Sequence, residues 1–254
     1  MSEDRFTLEG RIAVISGASR GIGEAIAQGF AEHGATVILA ARKLEALETA
    51  ASTIASKGGN ARAIACHTGK CDQIHSLFDQ VEQEFGHVDI LVNNAATNPH
   101  FGPAIDVTEA AFDKTFEVNT KGYFMMAQRA ARTMMERRSG SIINIASVVG
   151  LTAFPNQGIY GMTKAAVIYM TRMLASEWGP QGIRCNCIAP GLVETRFASL
   201  LVETDEHHKV FTDRAALGRH AQPSELVGAA IYLASDASSY TTGAILNCDG
   251  GTLT

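Results

Sequence analysis

Short, almost wholly apolar runs alternate along this chain with longer stretches in which apolar residues recur every three or four positions. Arg11–Ser16 (RIAVIS) reads as a buried strand, followed by a glycine turn and a helix through about His33. Ala35–Ala40 is a second strand, with a helix over Leu44–Ser56 and a Gly58-Gly59 stop. Ala61–Cys66 is a third, with an amphipathic helix over Asp72–Phe85. Val88–Val92 and Ser141–Ile145 read as strands four and five, flanking a long helical region from Glu109 to Arg137. A helix from about Asn156 to Trp178, a sixth strand over Ile183–Ile188 and a last strand over Ala244–Asn247 complete the pattern.

Apolar strands alternating with amphipathic helices predict a parallel sheet covered on both faces, with right-handed crossovers. The fold class is therefore α/β: a Rossmann-like, doubly wound parallel sheet forming one domain over residues 1–254. No linker, charge run or low-complexity segment marks a second domain. In such sheets ligands sit beyond the carboxyl ends of the strands. The longest interruption between strands, about 192–217, is the expected substrate lid.

Chemistry enters at the first such end. Ser16-Gly17-Ala18-Ser19-Arg20-Gly21-Ile22-Gly23 follows strand one and leads into a helix. Glycines let backbone approach a pyrophosphate, and the helix start offers free N–H groups and a positive dipole end. Ser19, Arg20, Gly21 and Ile22 would then lie along the phosphates, with Gly17 and Gly23 shaping the turn; the alternative is a plain tight strand–helix joint. The spacing G-x-x-x-G-x-G lacks the Gly-Lys-Ser/Thr of an ATPase phosphate loop. After strand two, where a carboxylate would hold a ribose 2′-hydroxyl, the run is Ala40-Ala41-Arg42-Lys43. Arg42, with Arg20, suits a 2′-phosphate, so NADP(H) is favoured over NAD(H). The alternative is that Arg42 is a solvated cation opening a helix.

Tyr160 and Lys164 stand four residues apart, on one face of the predicted helix. Carbonyl reduction delivers hydride to carbon and a proton to oxygen, and a cation near a phenol lowers its pKa toward that task. Ser147, just past strand five, can hold the substrate oxygen near the phenol, and no G-x-S-x-G elbow surrounds it. Asn94 and Ala95, in the Asn93-Asn94-Ala95-Ala96 run after strand four, let a cofactor lie close. Asn119 inside a helical stretch invites a functional or backbone-bridging explanation.

Composition changes little. The chain has 254 residues, 46% hydrophobic and 19% charged, and a net charge of -5 that gives no nucleic-acid or membrane-surface footprint. No apolar run is long enough to span a membrane, and the start lacks a signal-peptide layout, so a cytoplasmic enzyme is expected. Five irregularly spaced cysteines without a C-x-x-C pair argue against disulfides or structural zinc. His207 and His208 are adjacent and point apart on a helix, so no metal is expected and a solvated segment is the reading.

In this order, Gly17/Gly21/Gly23, Asn93-Asn94-Ala95, Asn119, Ser147, Tyr160/Lys164, Asn186, Pro190-Gly191 and Thr195 resemble the short-chain dehydrogenase/reductase family over essentially the whole chain. The resemblance implies Tyr160 as acid/base, with Lys164 binding nicotinamide ribose and lowering the Tyr160 pKa. It implies that Ser147 positions the carbonyl and that Asn119 holds a water in a proton relay. Pro190, Gly191, Val193 and Thr195 would border the nicotinamide. His67 stands where the family often has an Asp that contacts adenine. Ser16 and Ala96 replace the family's usual threonine and glycine. The runs Cys66–Lys70, Asn93–Pro99 and Ala41–Lys43 resemble the NADPH-dependent carbonyl/retinal reductase branch. A small carbonyl or alcohol substrate and a homo-oligomer, a tetramer by resemblance, follow as expectations. Phe101, Phe154, Ile159 and Leu192–Leu201 suggest a partly apolar pocket, or else core. The alternatives are an NAD-dependent catabolic alcohol or steroid dehydrogenase, and a non-catalytic nucleotide sensor or scaffold.

Overall fold

The architecture is drawn from a computed structural model, which describes residues 4–203 and 205–254. Seven parallel strands, β1 (Ile12–Ser16), β2 (Thr36–Ala41), β3 (Asn60–Ala65), β4 (Ile90–Asn93), β5 (Gly140–Ile145), β6 (Ile183–Pro190) and β7 (Ile245–Cys248), form one sheet. Their spatial order is 3-2-1-4-5-6-7, so the winding reverses between β1 and β4. A ligand crevice opens at such a reversal. All five residues of β1 are buried, whereas the edge strand β3 alternates exposed with covered positions.

Helices cover both faces: α1 (Gly21–Glu32), α2 (Leu44–Ser56), α3 (Cys71–Phe85), α4 (Glu109–Phe116), α5 (Gly122–Arg137), α6 (Gly158–Trp178), α7 (Ser199–Glu203), α8 (Asp205–Thr212) and α9 (Val227–Ala234). Side-chain alternation along β1 feeds two cores. Ile12 and Val14 join Leu77, Met126 and Val167 on the face of α3, α5 and α6. Ala13 and Ile15 join Ile26, Phe30, Leu47 and Leu233 beneath α1, α2 and α9. Cys185 and Cys187 are buried on β6, and burial pushes both thiols up, so they behave as small hydrophobes. Among the described residues no helix is long and apolar enough to cross a membrane.

The structure corrects the expected pattern in three places. The helical region 109–137 is not continuous, because a widened π-type turn over Glu117–Lys121 separates α4 from α5. The predicted sequence elements omitted α9, whose VGAAIYLA is apolar all round and carries no helical period. The 192–217 segment contains two short helices, α7 and α8. Thr204 and the side chains of Leu200 and His207 lie outside the described residues. His208 is on α8, where its Nε2 meets His220 Nδ1 at 2.9 Å, a partnered site rather than a simply solvated one.

Candidate active site

The glycine turn is built around Ser16. Its hydroxyl donates to Val92 O (3.3 Å) and accepts from the backbone N–H groups of Asn94 (2.9 Å) and Ala95 (3.1 Å). Asn94 Nδ2 returns hydrogen bonds to the carbonyls of Ser16 (3.0 Å) and Gly17 (3.2 Å). The carboxyl ends of β1 and β4 are thus tied together at the reversal point. Gly17 has φ +68, and a Cβ there would lie 2.9 Å from Ala95 Cα. Gly23 is tighter, since a Cβ would sit 2.5 Å from both Asn94 Nδ2 and Gly17 O. These two positions need glycine for conformation and for close approach respectively.

No side chain caps α1, whose N-cap residue Arg20 leaves the first N–H groups without a side-chain acceptor. Ser19, Arg20, Gly21 and Ile22 line a cavity of about 530 Å³ that runs across the carboxyl edge of the sheet. An uncapped helix start opening into a cavity fits a diphosphate. Toward β2 and β3 the wall is made by Arg42, Lys43, His67 and Thr68, with Lys114 opposite. Toward β5 and β6 it is made by Ser147, Tyr160, Lys164, Pro190, Gly191, Val193 and Thr195. The fold therefore gathers every predicted site residue onto this cavity except Gly23 and Asn119, which lie outside its lining. The uncapped helix start, the cations and the polar groups of this lining fit a nicotinamide dinucleotide.

Asn119 sits in the π-type turn and is fully buried. Its Oδ1 accepts from Thr97 N (2.8 Å), while Nδ2 donates to Thr97 O (2.9 Å) and Thr163 Oγ1 (3.2 Å). The asparagine bridges the chain after β4 to α6 by mimicking a backbone partner, which gives the mid-helix position its physical reason. Asn186 does similar work on β6, donating to Thr241 O and accepting from Ala244 N.

Ser147 follows β5 as the N-cap of a short 3₁₀ turn, where its Oγ accepts from Val149 N at 3.4 Å, a long contact that leaves the hydroxyl available. Tyr160 and Lys164 occupy successive turns of α6. Lys164 is 1% exposed; its Nζ donates to Ile145 O (2.7 Å) and to the Tyr123 hydroxyl (3.2 Å), and lies 5.4 Å from the Tyr160 ring centre. Tyr123 is itself buried and donates to the same Ile145 carbonyl (3.1 Å).

Burial governs the titration of this group. It pulls the Lys164 ammonium down to about 7, against a weaker opposite pull from Cys187. It pushes the Tyr160 phenol up from its ordinary value. Burial thus sets the direction for both groups in the chain by itself, because desolvation penalises both charged forms. The lysine's hydrogen bonds are spent on Ile145 and Tyr123.

At the Tyr160 end the walls are apolar. Tyr160 meets the Phe197 ring at 5.7 Å, and Phe211 stacks on Phe154 at 4.7 Å. Leu192, Phe197, Leu201 and Phe211 reach the cavity, while Phe154 and Ile159 are buried behind it and Phe101 does not line it. Sequence reasoning missed Lys114, Gln157 and Tyr123. Nothing local marks them, since each meets the site only through tertiary packing.

A family model described as enoyl-(acyl carrier protein) reductase matches residues 17–253. Dehydrogenase/reductase SDR family member 4 of Mus musculus is 36% identical over 248 residues, 98% of this chain and 89% of that protein. Short-chain dehydrogenase/reductase SDRA of Arabidopsis thaliana is 35% identical over 244 residues, covering 96% of this chain and 95% of the relative. Among solved structures, a gluconate 5-dehydrogenase from Burkholderia cenocepacia in complex with NADP and tartrate superposes with a TM-score of 0.94 at 37% identity, covering 98% of this chain and 97% of the other. A short-chain type dehydrogenase/reductase from Mycobacterium marinum gives 0.94 at 39%, with 98% of each chain covered.

Proposed function

The chain belongs to the short-chain dehydrogenase/reductase family, and on that footing we propose that it is an NADP(H)-linked enzyme in which Tyr160 is the acid/base. It is an oxidoreductase of alcohol and carbonyl groups. One observation carries the finer reading: a single cavity has an uncapped helix start at its middle, cations at one end and Ser147, Tyr160 and Lys164 at the other. A nicotinamide dinucleotide bound there supplies the hydride donor or acceptor.

The chain's own residues do the rest. Ser147 Oγ donates a hydrogen bond to the substrate oxygen and fixes it beside the phenol. Burial keeps Tyr160 protonated at neutral pH, the form that carbonyl reduction consumes when the proton passes to the substrate oxygen. Lys164, buried one turn away, supplies the positive charge that offsets the phenolate left behind. Asn119 anchors the segment after β4 to α6 and so keeps Tyr160 in register with the cavity. At the far end, Arg20, Arg42 and Lys43 suit a 2′-phosphate, and among the described residues no carboxylate lines that wall. The NADP in the Burkholderia relative supports the same preference.

The segment 192–217 acts as the substrate lid, contributing Phe197, Leu201 and Phe211 to the cavity. These side chains favour a partly apolar carbonyl, with Gln157 and Arg196 as its polar contacts. A homotetramer is carried over from the family resemblance as part of this reading. Following nicotinamide absorbance with NADPH and NADH against apolar ketones, aldehydes and sugar acids tests this function. It predicts turnover of apolar ketones with kcat/KM at least about tenfold higher for NADPH. A strong NADH preference would overturn the use made of Arg42.

A further inference from the structure

A lysine ammonium is a tetrahedral group with three N–H donors, and two of those on Lys164 are already directed. Nζ donates to Ile145 O at 2.7 Å and to the Tyr123 hydroxyl at 3.2 Å. The Tyr123 hydroxyl donates in turn to Ile145 O at 3.1 Å, so its proton is committed and a lone pair faces the ammonium. Ammonium, phenol and carbonyl close a triangle. Once two N–H directions of a tetrahedral centre are set, the third is set as well. Lys164 lines the cavity and Tyr123 does not, so the triangle lies behind the ammonium and the remaining N–H is the one left for the cavity.

Tyr123 is itself held firmly. It is the second residue of α5 and is 1% exposed. Its carbonyl accepts from Asn93 Nδ2 at 3.1 Å, and the same Nδ2 donates to Asn144 Oδ1 at 3.0 Å. The carboxyl ends of β4 and β5 thereby fix the first turn of α5, and with it the phenol. The Tyr123 ring centre stands 5.0 Å from Nζ and the Tyr160 ring centre 5.4 Å, so the ammonium lies close to two phenols.

The charge of Lys164 rests on this arrangement. The titratable groups that face Nζ are Tyr123 from α5, Tyr160 from its own helix and the Cys187 thiol from β6. Burial pushes all three up from their ordinary values, so each is neutral near pH 7 and none is a counter-ion. The acceptors that remain are Ile145 O and the Tyr123 hydroxyl, and a hydrogen bond accepted from the charged form favours it. Given the proposed acid/base role of Tyr160, we infer that Tyr123 is a positioning residue for that chemistry: its hydroxyl, pinned to Ile145, steadies the Lys164 ammonium and aims the free N–H at the cavity. In carbonyl reduction the proton leaves Tyr160 for the substrate oxygen, and the aimed ammonium offsets the phenolate that remains. Tyr123 keeps its own proton throughout, so it does not compete with Tyr160.

The experiment is Tyr123→Phe, which keeps the ring and removes only the hydroxyl. Single-turnover reduction of the apolar ketone that the wild-type chain reduces fastest is followed at saturating NADPH from pH 6 to pH 8. Without that acceptor, Lys164 is expected to shed its proton about one pH unit below the wild-type value of about 7. Reduction draws on the charged form, so the variant should run at about half the wild-type rate at pH 6 and about one-tenth at pH 8. Equal rates at both pH values, or a loss of the same size at both, which a packing defect alone would give, would overturn the inference. Tyr160→Phe, measured alongside, keeps the two readings apart. If it reduces the ketone at the wild-type rate, the acid/base role falls and this inference with it; if it is inert while Tyr123→Phe matches wild type, only this inference falls.

Discussion

Replacing Lys164 by Met should stabilise this protein, and by an amount that depends on pH in a calculable way. The ammonium is held at 1% exposure with its pKa drawn from an ordinary 10.5 to about 7. Between these values the unfolded chain keeps the proton that the folded chain has shed, so native stability rises with pH across that window. Below pH 7 the full cost of burying the charge is present; above 10.5 it has gone. At 1.36 kcal/mol per pKa unit, the cost is about 5 kcal/mol at pH 6 and about 2 kcal/mol at pH 9. Methionine carries no such cost, although it forfeits the hydrogen bonds to Ile145 O and Tyr123. That forfeit is the same at both pH values and cancels in the difference. Urea unfolding of both proteins, followed by far-ultraviolet circular dichroism, should show the stability of Lys164→Met relative to wild type falling by about 3 kcal/mol from pH 6 to pH 9. Parallel pH profiles would refute the reasoning, and with it the picture of a lysine kept in a desolvated slot for its chemistry.

Other outcomes follow from the same geometry. Arg42→Ala should weaken NADPH binding by about 10- to 100-fold and leave NADH nearly unchanged, as measured by calorimetry, because in the proposed site only a 2′-phosphate would meet that guanidinium. Asn119→Ala removes three hydrogen bonds, one buried and two part-buried, and strands the polar backbone of Thr97; it should cost about 2–4 kcal/mol in urea unfolding. Gly23→Ala would bring a methyl within 2.5 Å of Asn94 Nδ2 and Gly17 O, so cofactor affinity should fall sharply, whereas Gly58→Ala, open to solvent at φ +85, should cost only about 1 kcal/mol and spare binding.

How far the sequence revealed this arrangement depends on whether a feature is local. Helix α2 is read to the residue from its periodicity and its Gly58-Gly59 stop, and the central strands come from continuous apolar runs. The glycine turn and the Tyr160–Lys164 spacing are likewise local, and the cavity gathers them as their spacing implied. The π-type turn at Glu117–Lys121 is not local, because the Asn119 amide that accompanies it takes its partners from Thr97 and Thr163. Helix α9 escapes for a different reason: a segment buried on most sides has no polar face to set a period. The burial that sets the titration of Tyr160 and Lys164 is not legible in their spacing either. Proximity in sequence speaks of attraction between charges, while desolvation is a property of the finished fold. His67 and Lys114, 47 positions apart, become a pair only once the loop after β3 lies against α4.

The central claim is that the Tyr160 hydroxyl carries the proton that accompanies hydride transfer. Its most direct test is Tyr160→Phe, with NADPH affinity measured by calorimetry and ketone reduction measured in single turnover. The account predicts an affinity within about threefold of wild type and a reduction rate lower by about 10²–10⁴-fold or more. A phenylalanine variant that reduces ketones at the wild-type rate would contradict it.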